Sequence, residues 1–203
     1  MRRVPVQLSA SDRQAVDALR SRGSHLAREV NRAHILAALH QGLADQQISA
    51  ATAYVTNSNI AVPAGKLRIG TVLRWRLAVT KSAAGTTAGC AVLLKIGTLG
   101  TTGDATILTF TLGTPTGAAD TGYISVDVVI RGPLSASCIA TGICQLTHNL
   151  ASTGFSNIAC EAKQATSAGF DATVANLICG LTITTTTASV WTVTSVIAEA
   201  KNL

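Results

Sequence analysis

The chain has 203 residues, of which 47% are hydrophobic, 3% aromatic and 13% charged, with a net charge of +6. That length gives one large domain, or one domain with a small appendage, and the apolar content is ample for a core. The surplus is in Ala, Thr, Val, Gly and Ile, which suit pleated strands in thin layers, and without a run of eighteen apolar residues no membrane span is expected.

The opening "MRRVPVQLSASDR" carries Arg2 and Arg3 but no apolar stretch behind them, so a secretory signal is not expected. Residues 9–22 read as a capped amphipathic helix. Ser9 or Ser11 supplies the cap, Asp12 sits in the first turn, and Ala15, Val16 and Leu19 mark the apolar side. Gly23 and Ser24 break the pattern. A second helix is predicted from His25 to His40, with Leu26, Val30, Ala33, Ile35, Leu36 and Leu39 inward and Gly42 as its C-cap. "ADQQIS" then reads as the start of a third helix. Residues 1–49 hold seven Arg and four acids, net +3, together with His25, His34 and His40. Two helices and a stub bury too little to stand alone, so residues 1–48 are expected to dock on something larger, as an anchor segment.

After a linker at residues 49–53 the period changes to two. In "TVLRWRLAVT", Leu73, Trp75, Leu77 and Val79 alternate with Arg74 and Arg76, the pattern of a half-buried strand with a basic outer side. "CAVLLKIGT" and "ATILTFTLG" follow. "YISVDVVIRG" then presents Ile124, Val126, Val128 and Ile130 on one side. "SCIATGICQLTHNL", "NIACEAKQAT", "VANLICGLTIT" and "SVWTVTSVIAEAKN" complete a set of eight, separated by Gly-, Ser-, Asp- and Pro-rich turns. Eight strands with short turns and no intervening helix predict a mainly β fold, an antiparallel eight-stranded jelly-roll β-sandwich over residues 54–203.

Residues able to carry chemistry are few, and each has a structural reading that fits better. Cys90, Cys138, Cys144, Cys160 and Cys179 form no CxxC pair and no zinc spacing, so they read as buried, reduced thiols. His148 ends a strand without an acid–base partner near it in sequence, and reads as a hydrogen-bonding turn residue. Asp104, Asp120 and Asp171 lie in Gly-rich turns but form no DxDxDG loop, so turn-closing roles are favoured over calcium binding. Trp75 flanked by Arg74 and Arg76 looks like a nucleic-acid surface, yet alternation puts Trp75 on the opposite side from both. "TTTTAS" and the other Gly/Thr loops are compatible with glycan contacts, against which the scarcity of aromatics argues. No catalytic, cofactor-binding or metal-binding residue is assigned, and no cofactor is expected.

From about Ala53 onward, "TNSNIAVPAGKLRIGTVLRWRLAVTKSAAGT", "IGTLGTTGDAT", "DTGYISVDVVIRGPLSAS", "LTHNLASTGF", "SAGFDATVANLICGLTIT" and "IAEAKNL" resemble a β-sandwich module of tailed-bacteriophage structural proteins. The resemblance implies a virion surface piece, such as a tail fibre, head fibre or capsid decoration, often trimeric and without catalytic residues. It implies virion proteins as partners, docked through residues 1–48, and a virion location after synthesis in the host cytoplasm. Earlier in the chain, "LSASDRQAVDALRSRG" and "REVNRAHILAALHQGLADQQI" resemble the start of mariner-like insertion-sequence transposases. In that family "DQQI" opens a helix that leads to a major-groove recognition helix. Here the sequence departs at Ser49 and contains neither the recognition helix nor the acidic catalytic core. Three functions are therefore expected in order: a structural virion component; a receptor- or glycan-binding virion tip; and a DNA-binding relic, whose phosphate contacts would be Arg2, Arg3, Arg13, Arg20, Arg22, Arg28 and Arg32. Sequence-specific nucleic-acid binding is not expected without the recognition helix, and an enzyme of any class ranks last.

Overall fold

The computed structural model describes residues 9–12, 14, 46–48, 54–83, 90–185 and 191–203, with 46–48 described by backbone alone. Contacts divide the chain into Met1–Ala44 and Asp45–Leu203. In the first unit, Ala10, Ser11, Asp12 and Gln14 are helical. Ser9 caps this turn: its Oγ accepts the Asp12 amide at 3.2 Å and donates to Asp12 Oδ2 at 2.7 Å. The cap leaves fewer unsatisfied donors at the helix start and holds an anion near its positive end. The rest of the expected helix at 9–22, the helix from His25 to His40 and the linker at 49–53 lie outside the described residues, as do all seven Arg and the three His of the first segment.

Among the described residues, ten strands build the second unit: β1 (Gln46–Ile48), β2 (Ile60–Val62), β3 (Val72–Lys81), β4 (Ala91–Gly97), β5 (Ala105–Thr111), β6 (Asp120–Gly132), β7 (Ile139–His148), β8 (Cys160–Thr166), β9 (Leu177–Thr184) and β10 (Trp191–Lys201). The eight predicted strands are β3 to β10. The two additions are three residues each, too short for alternation to show. Gln46–Ile48 corrects the expected third helix: these residues pair antiparallel with Trp191–Val193 of β10. Backbone pairing with a long strand overrides the weak helical preference of so short a run.

One sheet has the order β1-β10-β3-β6-β7-β8, the other β2-β9-β4-β5. The antiparallel pairs β1·β10, β2·β9, β3·β6 and β4·β5 nest inside one another along the chain. Folding such a nested ribbon over itself, with strands alternating between two sheets, is the jelly roll. The expected architecture therefore holds, with a membership that differs: the eight jelly-roll strands include β1 and β2, while β7 and β8 are an inserted hairpin. That insertion widens one sheet to six strands.

Alternation places the core where the sequence put it. Leu73, Trp75, Leu77 and Val79 of β3 and Ile124, Val126, Val128 and Ile130 of β6 are all buried between the sheets. They meet Val92 and Leu94 of β4, Leu108 and Phe110 of β5, and Leu181 and Ile183 of β9 in one continuous cluster. The indole of Trp75 donates Nε1–H to the Ser58 carbonyl at 2.6 Å, which satisfies its one polar atom and ties the β2 approach to the core.

Candidate interaction surface

Register defines two ends of the sandwich. Lys81 pairs with Asp120 at one end, and Val72 pairs with Val129 towards the other. The end marked by Lys81 holds the strongest concentration of buried polar groups. Lys81 occupies an inward position of β3 and is almost inaccessible. Its ammonium donates to the carbonyls of Thr116, Ala118 and Ser82, the latter two at 2.9 and 3.3 Å. Burial lowers its pKa, with the Asp120 charge opposing.

Asp120 opens β6, and the β6·β7 hairpin pairs Gly122 with His148. The two side chains meet with Asp120 Oδ2 2.7 Å from His148 Nδ1, their side-chain exposures being 1% and 0%. Asp120 also accepts the amides of Thr121 at 2.8 Å and Phe155 at 3.3 Å. His148 Nε2 donates to the Ile158 carbonyl at 2.7 Å. Sequence proximity offered His148 no acidic partner. Folding the chain back about the β6–β7 turn supplies one from 28 residues away.

With one ring nitrogen donating to a carbonyl and the other against a carboxylate, this histidine presents no free nitrogen to a substrate. It ties the β7–β8 loop to the start of β6. Phe155 stacks edge-on to His148 and Trp191, at centroid distances of 6.2 and 4.5 Å. Glu161 binds the β5–β6 loop in the same way, accepting the Gly113 amide at 2.7 Å and Ser156 Oγ at 3.3 Å and pairing with Lys163 at 3.0 Å. Burial raises its pKa, but these donors together outweigh burial and hold it below the usual 4.5. The Lys81 end is a lock on loops.

The other singled-out residues are dispersed. Asp104 accepts the amides of Leu99 and Thr101 and the Tyr54 hydroxyl at 3.0, 3.2 and 2.9 Å. Asp171 accepts the amide and hydroxyl of Thr173 at 2.9 and 2.6 Å, the expected turn-closing role. No group of three His, Cys, Asp or Glu able to hold a metal occurs among the described residues. All five cysteines are unpaired. Cys90, Cys138, Cys144 and Cys179 are buried, and burial pushes the thiols of Cys144 and Cys179 up to about 12. Cys160 corrects the expectation of buried thiols: it starts the edge strand β8 and is exposed. Of "TTTTAS", Thr184 and Thr185 are described, and Thr184 Oγ1 bonds to the Ala91 carbonyl at 3.3 Å.

The six-stranded sheet has an outer face of alternate exposed and half-buried side chains. Arg74 and Arg76 point to it, with Trp75 in the core as alternation required. A ladder of charge runs across three strands. Arg74 contacts Asp127 at 2.6 Å and Glu199 at 3.3 Å, Arg76 contacts Asp127 at 3.2 Å, and Lys201 reaches Glu199 at 3.6 Å. The ladder spends the two Arg on carboxylates of their own chain, which leaves little for phosphates. Ile197 is paired in register with Arg76, Ile143 with Asp127, and Tyr123 with Ala78. Their exposures are 60%, 51% and 42%. Three large apolar side chains thus flank a nearly self-neutralised ladder on one sheet face, a composition that marks protein contacts.

No family model matches the chain, and neither does any curated protein or solved structure.

Proposed function

We propose that the protein is a structural component of a tailed-bacteriophage particle, acting through protein–protein contacts as a capsid decoration, head fibre or tail fibre piece. The resemblance of residues 53–203 to phage structural modules supports this reading, and so does the jelly roll, an architecture at home in capsid proteins. The single observation that carries it is the outer face of the six-stranded sheet. The inserted β7–β8 hairpin extends that face, and Tyr123, Ile143 and Ile197 stand exposed on it. Covered by a neighbouring subunit, these side chains lose water-exposed apolar area while the charge ladder stays satisfied. The assembly we propose is a homotrimer, docked on the particle through the residues that precede β1.

The test joins particle composition with oligomeric state. The protein is expected in purified particles by mass spectrometry, and the isolated chain is expected to sediment as a trimer. Ile143→Glu combined with Ile197→Glu places two charges on the exposed face without touching the core. It is expected to yield folded monomers, with the far-ultraviolet circular dichroism of the wild type and an unfolding midpoint that no longer rises with protein concentration. A wild-type monomer absent from particles overturns the proposal.

A further inference from the structure

The two hydrogen-bond partners of His148 are both arranged as acceptors. Nε2 lies 2.7 Å from the Ile158 carbonyl, which has no proton to give. Nδ1 lies 2.7 Å from Asp120 Oδ2. That oxygen also accepts the Phe155 amide at 3.3 Å, and Asp120 Oδ1 accepts the Thr121 amide at 2.8 Å. A neutral imidazole carries one proton, so with an ionised carboxylate it would leave one contact as lone pair against lone pair. Turning the ring over exchanges the two nitrogens without changing that count. The contacts therefore require two protons: one for the carbonyl, and one between the ring and the carboxylate.

Two loops close over the pair, residues 112–119 and 149–159, and neither contains a titratable side chain. They are tied to each other: the Thr116 amide donates to the Gly154 carbonyl at 2.8 Å, and the Gly154 amide to Thr116 Oγ1 at 2.7 Å. Among the described residues, Lys81 of β3 is paired in register with Asp120, and its ammonium is held by backbone carbonyls. Glu161 of β8 stands beyond Ser156, with its carboxylate on the Gly113 amide, Ser156 and Lys163. Tyr123 of β6 and Cys160 of β8 are exposed, and Cys144 of β7 is in the core. Loss of the shared proton as pH rises sets the Nδ1 lone pair against a carboxylate oxygen, in a buried site where repulsion is weakly screened. Repulsion is relieved when the β7–β8 loop moves off, because the Phe155 amide and the Ile158 carbonyl are its ties to the pair. That movement withdraws Phe155 from the Trp191 ring.

We propose that Asp120 and His148 form a proton-operated latch on the β7–β8 loop, closed while the pair holds its shared proton and opened when alkaline pH removes it. The folded chain then binds a proton that the unfolded chain releases, so the stability contributed by the latch falls as pH rises. The latch is independent of the assembly proposed above.

The test uses the full chain labelled with nitrogen-15. Long-range proton–nitrogen spectra report which ring nitrogens carry protons, and His148→Gln assigns the His148 signals. Both ring nitrogens are expected to be protonated at neutral pH in the folded chain, whereas imidazoles of the chain unfolded in urea are mostly neutral there. On raising the pH, loss of the ring proton is expected together with movement of the Phe155 and Ile158 amide resonances, while those of β3 stay in place. Asp120→Asn can donate its amide to Nδ1, and is expected to give a neutral ring at neutral pH and to abolish the joint movement. Lys81→Met removes the neighbouring ammonium and is expected to preserve it. Three outcomes overturn the proposal: an unprotonated ring nitrogen at neutral pH in the folded wild type, loss of the ring proton without movement of Phe155 and Ile158, or a joint movement that persists in Asp120→Asn.

Discussion

Replacing Asp120 by Ala is expected to be among the most damaging single changes in the sandwich. The substitution removes the acceptor for His148 Nδ1 and for the amides of Thr121 and Phe155. The side chains of the pair are 1% and 0% exposed, so no water is at hand to replace what is lost. Breaking a buried pair by deleting one partner costs about 3–5 kcal/mol, because a polar group is stranded. With a urea dependence of about 2 kcal/mol per molar, that cost lowers the midpoint by about 2 M. Tryptophan emission reports the transition, as Trp75 and Trp191 are both buried and Trp191 stacks on Phe155 beside the pair. Asp127→Ala is the control. It also removes a carboxylate from cationic partners, but on the open sheet face, where water takes over. Its midpoint is expected to stay close to that of the wild type. Equal shifts for the two variants would refute the argument that burial sets the cost.

Lowering the pH is expected to remove the contribution of Glu161. Its folded pKa lies below the usual 4.5, so its stabilisation is present above that value and is lost as pH falls through the folded pKa. Glu161→Gln is expected to flatten the acid limb of a midpoint-against-pH curve, and an unchanged limb would contradict this assignment. Thiol labelling of native protein at neutral pH is expected to modify Cys160 alone, with Cys90, Cys138, Cys144 and Cys179 reacting once urea unfolds the chain. Rapid native labelling of any buried thiol in a peptide map would count against the core described. Gly154→Ala is expected to cost about 2 kcal/mol or more in the same urea assay, since φ is +91° and the added Cβ runs into the Asp120 carboxylate. A neutral result would mean that the β7–β8 loop is not locked to β6 as described.

The sequence by itself determined the strands that matter most to the core. Alternation from Leu73 to Val79 in β3 and from Ile124 to Ile130 in β6 leaves one register in which Leu73, Trp75, Ile124 and Val126 face inward, because slipping by one residue would turn all of them to water. It likewise separated Trp75 from Arg74 and Arg76, and it named Ser9 as one of two caps. Tertiary structure decided the rest. Gln46–Ile48 has too few residues for a period, and pairing with β10 makes it the first strand of the jelly roll. No local pattern distinguishes β7 and β8 from the strands around them, so only pairing identifies them as an inserted hairpin. The Asp120–His148 contact was not legible, because its partners lie 28 residues apart and meet only when β6 pairs with β7. The burial that gives this contact its weight depends on Phe155 and the β7–β8 loop closing over it.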